Sequence, residues 1–351
     1  MENNFKNIVF EGGGVKGIAY VGALQALEEY DVLFNIKRVG GASAGAINAL
    51  LLTLDYTLKE IKDIMWSLDF NNFMDDEWGI IRDTNRLVNQ FGWYKGEFFL
   101  DWIGDIIEKK TGKRFITFKD FSQWGTKDLY IVGTNLSKNC SEIFSSENTP
   151  DMSIMEAIRI SMSIPLFFSA VRRETNGDVY VDGGIFNNYP VKMFDKKKYL
   201  LGENHFYQMS PYMRNGEESI INKETIGFRL DSKQEIKTFL EKDKLKYTKI
   251  DDFFDYIKAL LKAIMSVQDN QHLNSNEWLR TVYINTIGVN TVDFDIDDIT
   301  KKALIDEGYK GTINFLERTK FEDELVELSE IEEDPDATDP DFEELFYSEG
   351  I

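Results

Sequence analysis

Asn7-Ile-Val-Phe-Glu11-Gly12-Gly13-Gly14-Val15-Lys16-Gly17 and, about twenty residues on, Ile36-Lys-Arg-Val39-Gly40-Gly41-Ala42-Ser43-Ala44-Gly45 decide the fold class of this 351-residue chain. Asn7–Glu11 reads as a short buried strand that stops at three glycines. From Val15 to Glu29 the apolar spacing turns helical, with Ala19, Ala23, Ala26 and Leu27 on one side. Ile36–Val39 reads as a second strand ended by Gly40-Gly41, and Ala44–Leu54 follows at once as a buried helix. Two strand–glycine turn–helix units in succession are what a parallel sheet covered by helices requires. The expectation is an α/β protein with a central, mainly parallel sheet flanked by helices.

Outward from this start the pattern continues. Residues 58–120 hold Trp66, Trp78, Trp93 and Trp102 among many Phe and few β-branched runs, and read as an aromatic-rich helical cap. Its clearest helix is Glu97–Lys109, and core packing is the favoured reading of its apolar face. Leu129–Leu136 and Glu142–Phe144 read as a strand pair around the turn chemistry of Ser137-Lys138-Asn139. Met152–Ser161 is a helix ending before Pro165, and Asp178–Val181 a strand ending in Asp182-Gly183-Gly184. Thr225–Leu230 and Thr281–Ile287 are later strands with an amphipathic helix between them at about 251–273. Thr300–Glu317 closes the fold as a helix.

The net charge of −21 is unevenly placed. Between Phe321 and Ile351 there are 14 acidic residues and no Lys or Arg, so the tail supplies two thirds of it. Such a segment favours solvation over packing. It is expected to lie outside a catalytic domain spanning 1–320, with 321–351 as an acidic tail. The acidity argues against nucleic-acid binding through phosphates. Lys196-Lys197-Lys198 and Lys109-Lys110 with Lys113-Arg114 read as solvated surface runs. One cysteine, Cys140, rules out an intrachain disulfide framework. The longest apolar stretch, Ala44 to Leu54, is 11 residues, whereas a spanning helix needs about 20. The start of the chain lacks the build of a secretory signal. A soluble, cytoplasmic protein with peripheral membrane contact is expected, export by another route not being excluded.

Gly41-Ala42-Ser43-Ala44-Gly45 is a G-x-S-x-G between a strand and a helix, the context of a nucleophile elbow. Small residues let strand and helix nearly collide there, and Ser43 stands at the helix N-terminus. Gly12-Gly13-Gly14 with Lys16 and Gly17 allows close backbone approach, and its N–H groups beside a helix start form an anion site, here a candidate oxyanion hole. Gly12, Gly14 and Gly17 also fit G-x-G-x-x-G. A dinucleotide site, however, needs an acid near the end of the second strand, where this chain has Gly40-Gly41. No G-x-x-x-x-G-K-[ST] occurs. Asp182-Gly183-Gly184 offers a carboxylate that glycines would let approach Ser43. The order Ser43, Asp182, His205 leaves a triad formally open, but neither His205 nor His272 carries a local signature. Asp293-x-Asp295-x-Asp297-Asp298 imitates a calcium loop without its glycine and final glutamate, and reads instead as the N-terminal charges of the next helix.

These blocks resemble the patatin-like phospholipases, serine lipid acyl hydrolases. Gly12–Gly17 is similar to the family's oxyanion loop and Gly41–Gly45 to its elbow. Ser161-Met-Ser163-Ile-Pro165-Leu-Phe-Phe168 is similar to its Ser-x-Ser-x-Pro segment, and Asp182-Gly183-Gly184-Ile-Phe-Asn-Asn188 to its Asp-Gly-Gly block. Thr225-Ile-Gly-Phe-Arg229 and Val292-Asp-Phe294 look like stretches of bacterial members, so the likeness spans roughly 5–318. Where members often carry a second proline, Ser169-Ala170 stands here. The resemblance implies a three-layer α/β fold and a Ser43–Asp182 dyad with no catalytic histidine. It also implies no metal or cofactor, and a phospholipid, lysophospholipid or other acyl-ester lipid as substrate, met at a membrane or micelle surface. A protein activator is compatible with it. A catalytically silent lipid-binding regulator and an acyltransferase are the alternatives.

Overall fold

The computed structural model describes residues 5–332 apart from 74–86, 88, 126, 201–205, 209–219, 232–249, 254, 258, 261–262, 265–267, 269–275 and 292. Two compact units result, residues 2–312 and 313–351.

The first unit is built on one sheet. Strands β1 (Asn7–Phe10), β2 (Arg38–Ala42) and β4 (Asp128–Asn135) run parallel with β11 (Thr225–Asp231) and β12 (Thr281–Asn285), in the order β12-β11-β1-β2-β4. All four residues of β1 are buried, as expected of a central strand covered on both faces. Its register pairs Phe10 with Gly41 of β2 and with Phe228 of β11, which brings the ends of these strands to one edge. Beyond β4 the sheet turns antiparallel. β8 (Val179–Asp182) pairs antiparallel with β4, and β7 (Val171–Arg172) with β8. β5 (Cys140–Phe144) forms the expected hairpin with β4.

Helix α1 (Ala19–Glu29) does not start at Val15 as its spacing suggests, because Gly14–Ile18 forms a tighter 3-10 turn first. Helix α2 (Ala44–Thr53) is buried at all ten positions and mostly apolar, and therefore internal, with Asn48 donating to the Gly17 and Ala44 carbonyls. Strand β2 runs through Gly40 and Gly41, where the sequence reading ended it.

The 58–120 region is mostly helical, but not wholly. Helix α3 (Leu58–Ser67) opens with a reciprocal capping box between Thr57 and Glu60. Strand β3 (Gly92–Tyr94) precedes helix α4 (Glu97–Thr111) and helix α5 (Phe118–Trp124). α4 buries Phe99, Ile103, Ile106 and Ile107, the core-packing outcome. β3 pairs parallel with β6 (Leu166–Phe168), so this region contributes a strand to a small second sheet. Helix α6 (Ile154–Ser161) and a one-turn helix α7 (Gly184–Asn187) flank the β8 end. The basic runs are locally compensated: Lys110 pairs with Glu60 at 2.9 Å, Arg114 with Asp101 and Asp105, and Lys198 with Glu147.

β9 (Phe206–Gln208) and β10 (Ile220–Asn222) form a separate hairpin. The last helix, α8, runs Asp298–Glu332 and so extends twelve residues past the expected boundary at 320. Its start is capped as expected of the acidic run: the Asp297 carboxylate accepts the Thr300 N–H at 2.8 Å, and the Thr300 hydroxyl, with that N–H second, holds its pKa down. Among the described residues no helix is long and apolar enough to cross a membrane, and no three acidic, His or Cys side chains converge as a metal site.

Candidate active site

Ser43 sits between β2 and α2 with φ 51° and ψ −127°, a backbone state that β-carbon-bearing residues rarely adopt. Such strain survives only where the surroundings enforce it. Here they do. A β-carbon on Gly45 would lie 2.5 Å from the Phe10 carbonyl oxygen and 2.6 Å from that of Glu11, and one on Gly41 would lie 2.5 Å from the Gly45 carbonyl carbon. Strand and helix can meet this closely only through glycine at these two positions, and the turn between them carries Ser43.

The Ser43 N–H donates to Ser161 Oγ at 2.9 Å, and the Ser43 hydroxyl donates to Met162 Sδ at 3.7 Å. Sulfur is a weak acceptor, so the hydroxyl is held but not committed. Asp182, at the end of β8, is 4% exposed and Ser43 5%, which shields both from bulk water. Asp182 Oδ1 accepts the Gly184 N–H at 2.7 Å, while Oδ2 is buried with no hydrogen-bond partner among the described residues. Burial pushes the carboxyl up to about 7, partly offset by the Gly184 N–H and by the nearby Ser43 hydroxyl. The Ser43 hydroxyl thus has a strained but defined position beside an acceptor that has spare capacity.

The glycine loop lies alongside. A β-carbon on Gly12 would meet Ser43 Cβ at 3.0 Å and the Ala42 carbonyl at 3.2 Å. Gly12 differs from expectation in one respect: its N–H donates to the Asn188 carbonyl at 3.0 Å and is therefore not a donor for a developing oxyanion. The Gly13 and Gly14 N–H groups have no acceptor among the described residues. Gly14 has φ +55° and abuts the Thr291 carbonyl, which also accepts the Val15 N–H at 3.2 Å. Lys16 Cε packs against the Gly13 position and its Nζ reaches the Leu230 carbonyl at 3.5 Å. At Gly17 a β-carbon would meet Ala44 Cβ at 3.0 Å, so the glycine seats the loop on the start of α2. Gly183 lets β8 pass against the Val132 carbonyl, and Gly184 supplies the N–H to Asp182.

Several supports lie outside the motifs. Asn188 clips the glycine loop to the turn after Asp182, its Nδ2 donating to the Gly12 carbonyl and to Glu11 Oε1, both at 3.2 Å. Gln268 accepts the Asn188 N–H at 2.9 Å and donates to the Gly184 and Ile185 carbonyls at 2.9 and 3.0 Å. Glu11 Oε2 accepts the Leu230 N–H at 2.7 Å, and buried Arg229 pairs with Glu11 at 3.8 Å and Asp231 at 3.0 Å. Arg159 binds Ser163 Oγ and the carbonyls of Lys95 (2.7 Å) and Ser169 (3.1 Å), and the Ser163 carbonyl accepts the Asp182 N–H at 2.8 Å. Ser161 therefore braces Ser43, and Ser163 braces Asp182. Ser169, in place of a second proline, uses its N–H to bond the Tyr94 carbonyl at 2.8 Å and so joins β6 to β3, a bond proline could not make. His205 and His272 lie outside the described residues.

The sequence model of the patatin-like phospholipases matches residues 8–195, from β1 past the Asp182 turn. The chain belongs to the patatin-like phospholipase family. A protein of Acanthamoeba polyphaga mimivirus, R571, is 37% identical over 195 residues, covering 55% of this chain and 63% of that protein. A probable lipid hydrolase of invertebrate iridescent virus 6, 463L, is 29% identical over 190 residues, covering 53% and 62%. The matched region is thus less than two thirds of either relative. VipD from Legionella pneumophila shares the fold, with a TM-score of 0.54 at 18% identity over 90% of this chain and 67% of that one.

Proposed function

We propose that the patatin-like chain is a serine lipid acyl hydrolase that cleaves acyl esters of phospholipids or lysophospholipids through Ser43 and Asp182. The observation that carries this reading is the strained Ser43 turn beside a buried Asp182 whose Oδ2 has no hydrogen-bond partner among the described residues. Family membership and the name of the iridescent-virus relative favour a lipid substrate.

In this mechanism Ser43 Oγ attacks the acyl carbonyl as its proton passes to Asp182 Oδ2. An ordinary aspartate, with a pKa near 4, is a poor base for a hydroxyl at neutral pH. A carboxyl lifted to about 7 is better matched to the task, since general-base efficiency peaks when the pKa is near the working pH. Charge developing on the carbonyl oxygen would be met by the Gly13 and Gly14 N–H groups, each such donor being worth about 3–4 kcal/mol in the transition state. Asp182 returns the proton to the departing alkoxide. It then takes one from the water that attacks the acyl-enzyme and passes it to Ser43 Oγ as the bond to the acyl group breaks, releasing the fatty acid.

The pH dependence follows from Asp182 needing to be ionised. Initial rates of hydrolysis of a soluble short-chain ester, measured from pH 5 to 9, should give a kcat/KM that rises about tenfold per pH unit on the acid side and levels off near 7. A kcat/KM that is already level down to pH 5, as an aspartate of ordinary pKa would give, would contradict the assignment of Asp182 as base.

A further inference from the structure

Asn188 follows the one-turn helix α7 and is 4% exposed. It holds Gly12 of the glycine loop on both sides. The Gly12 N–H donates to the Asn188 carbonyl at 3.0 Å, and the Gly12 carbonyl accepts from Asn188 Nδ2 at 3.2 Å. A β-carbon on Gly12 would lie 2.4 Å from Asn188 Oδ1, so only glycine admits the side chain this closely. We infer that Asn188 is a positioning residue for the oxyanion donors: by holding the Gly12 carbonyl it fixes the direction of the Gly13 N–H. This rests on the functional reading above.

Peptide geometry makes the link. The Gly12 carbonyl and the Gly13 N–H belong to one planar trans peptide, in which the two groups point in opposite directions. A contact that keeps the carbonyl on Asn188 therefore keeps the N–H turned away from it. Both residues flanking that peptide are glycines, whose backbone enters conformations closed to other residues. Without the pin the peptide is free to turn over. It would then present a carbonyl oxygen where a developing negative charge needs a donor.

The amide of Asn188 is itself held one way round. Its Nδ2 also donates to Glu11 Oε1 at 3.2 Å, so a reversed amide would set its oxygen against two others. Glu11 is anchored in turn, its Oε2 accepting the Leu230 N–H at 2.7 Å. On the main chain, the Asn188 N–H donates to Gln268 Oε1 at 2.9 Å. Asn188 Oδ1 is buried without a hydrogen-bond partner among the described residues, which costs the fold free energy. A leucine of similar size would carry no such unpaired oxygen. What asparagine adds is the pair of bonds to Glu11 and Gly12.

The experiment removes those bonds and reads the oxyanion. Asn188→Leu does so at similar volume, and Asn188→Ala does so without crowding Gly12 or Gly184. Each folded variant is assayed on p-nitrophenyl butyrate from pH 5 to 9. Binding of an alkyl trifluoromethyl ketone, which adds to a reactive serine and forms an oxyanion, is compared with binding of the methyl ketone, which forms none. In both variants kcat should fall about 10²–10³-fold with KM little changed, the mark of an interaction made only in the transition state. Trifluoromethyl ketone affinity should fall by a similar factor, and methyl ketone affinity should hold. The acid limb should stay near 7, since burial and the Gly184 N–H still set the Asp182 carboxyl. Native kcat and native trifluoromethyl ketone affinity in either folded variant would overturn the assignment and leave the hydrolase reading intact. So would a loss of rate with a shifted acid limb, because Asn188 would then be acting through Asp182. A native protein that neither cleaves the ester nor captures the trifluoromethyl ketone would overturn both.

Discussion

Asp182→Asn is expected to lose about 10²–10⁴-fold in kcat/KM, the usual contribution of a positioned general base, and at the same time to become more stable above neutral pH. The two effects share a cause. In the folded chain burial lifts the carboxyl from 3.8 to about 7, so the native state holds the proton more tightly than the unfolded chain does. Stability from this group is therefore fully present below about pH 4 and is lost as pH rises through about 7. Asparagine keeps an acceptor for the Gly184 N–H and removes the buried charge, so at pH 8 the variant should gain about 2–4 kcal/mol, with almost no gain at pH 4. Urea melts at both pH values read this directly. Equal stability of the two proteins at pH 8 would mean that the carboxyl is not held up by burial.

Arg229→Met should have the largest effect on stability. Arg229 is 1% exposed and lies between two carboxylates, Glu11 at 3% and Asp231 at 8%. Removing one member of a buried ionic group strands the others, typically at a cost of about 3–5 kcal/mol. Glu11 is also the side chain that Asn188 and the Leu230 N–H use to hold the glycine loop. A drop in the urea midpoint, with serine-probe labelling slowed even where the variant is folded, is the expected pair of results. A folded variant with native stability would show that the cluster is not a structural unit.

How much of this was legible beforehand differs from residue to residue. The elbow could be read because Gly41 and Gly45 have no substitute where Gly45 meets the Phe10 and Glu11 carbonyls, so steric necessity leaves a mark in the sequence. The parallel core was legible for a related reason: β1 and α2 are buried along their whole length and read as apolar runs broken only by Asn7 in the strand and by Asn48 and Thr53 in the helix. β8 was placed correctly as a strand, but four residues carry no sign of direction, and its antiparallel pairing with β4 emerged only in three dimensions. β3 and β6 have three residues each, too few for an alternating pattern, and pair across more than seventy residues. The commitment of the Gly12 N–H to Asn188 depends on a contact 176 positions away, and Gln268 lies eighty residues further along the chain. Glu11 did offer a signal, an acid at the end of an apolar strand beside a glycine loop. Arg159 gave none beyond its place two residues before Ser161.

The most direct test of the Ser43–Asp182 dyad is to map, by peptide mass spectrometry, the adduct of a fluorophosphonate serine probe. The native protein, Ser43→Ala and the double variant His205→Gln/His272→Gln are compared, with circular dichroism confirming that each is folded. A dyad that needs no histidine is expected to place the adduct on Ser43 in the native and double-histidine proteins at similar rates, and to leave Ser43→Ala unlabelled. Loss of labelling in the folded double-histidine variant, or an adduct on a residue other than Ser43, would contradict it.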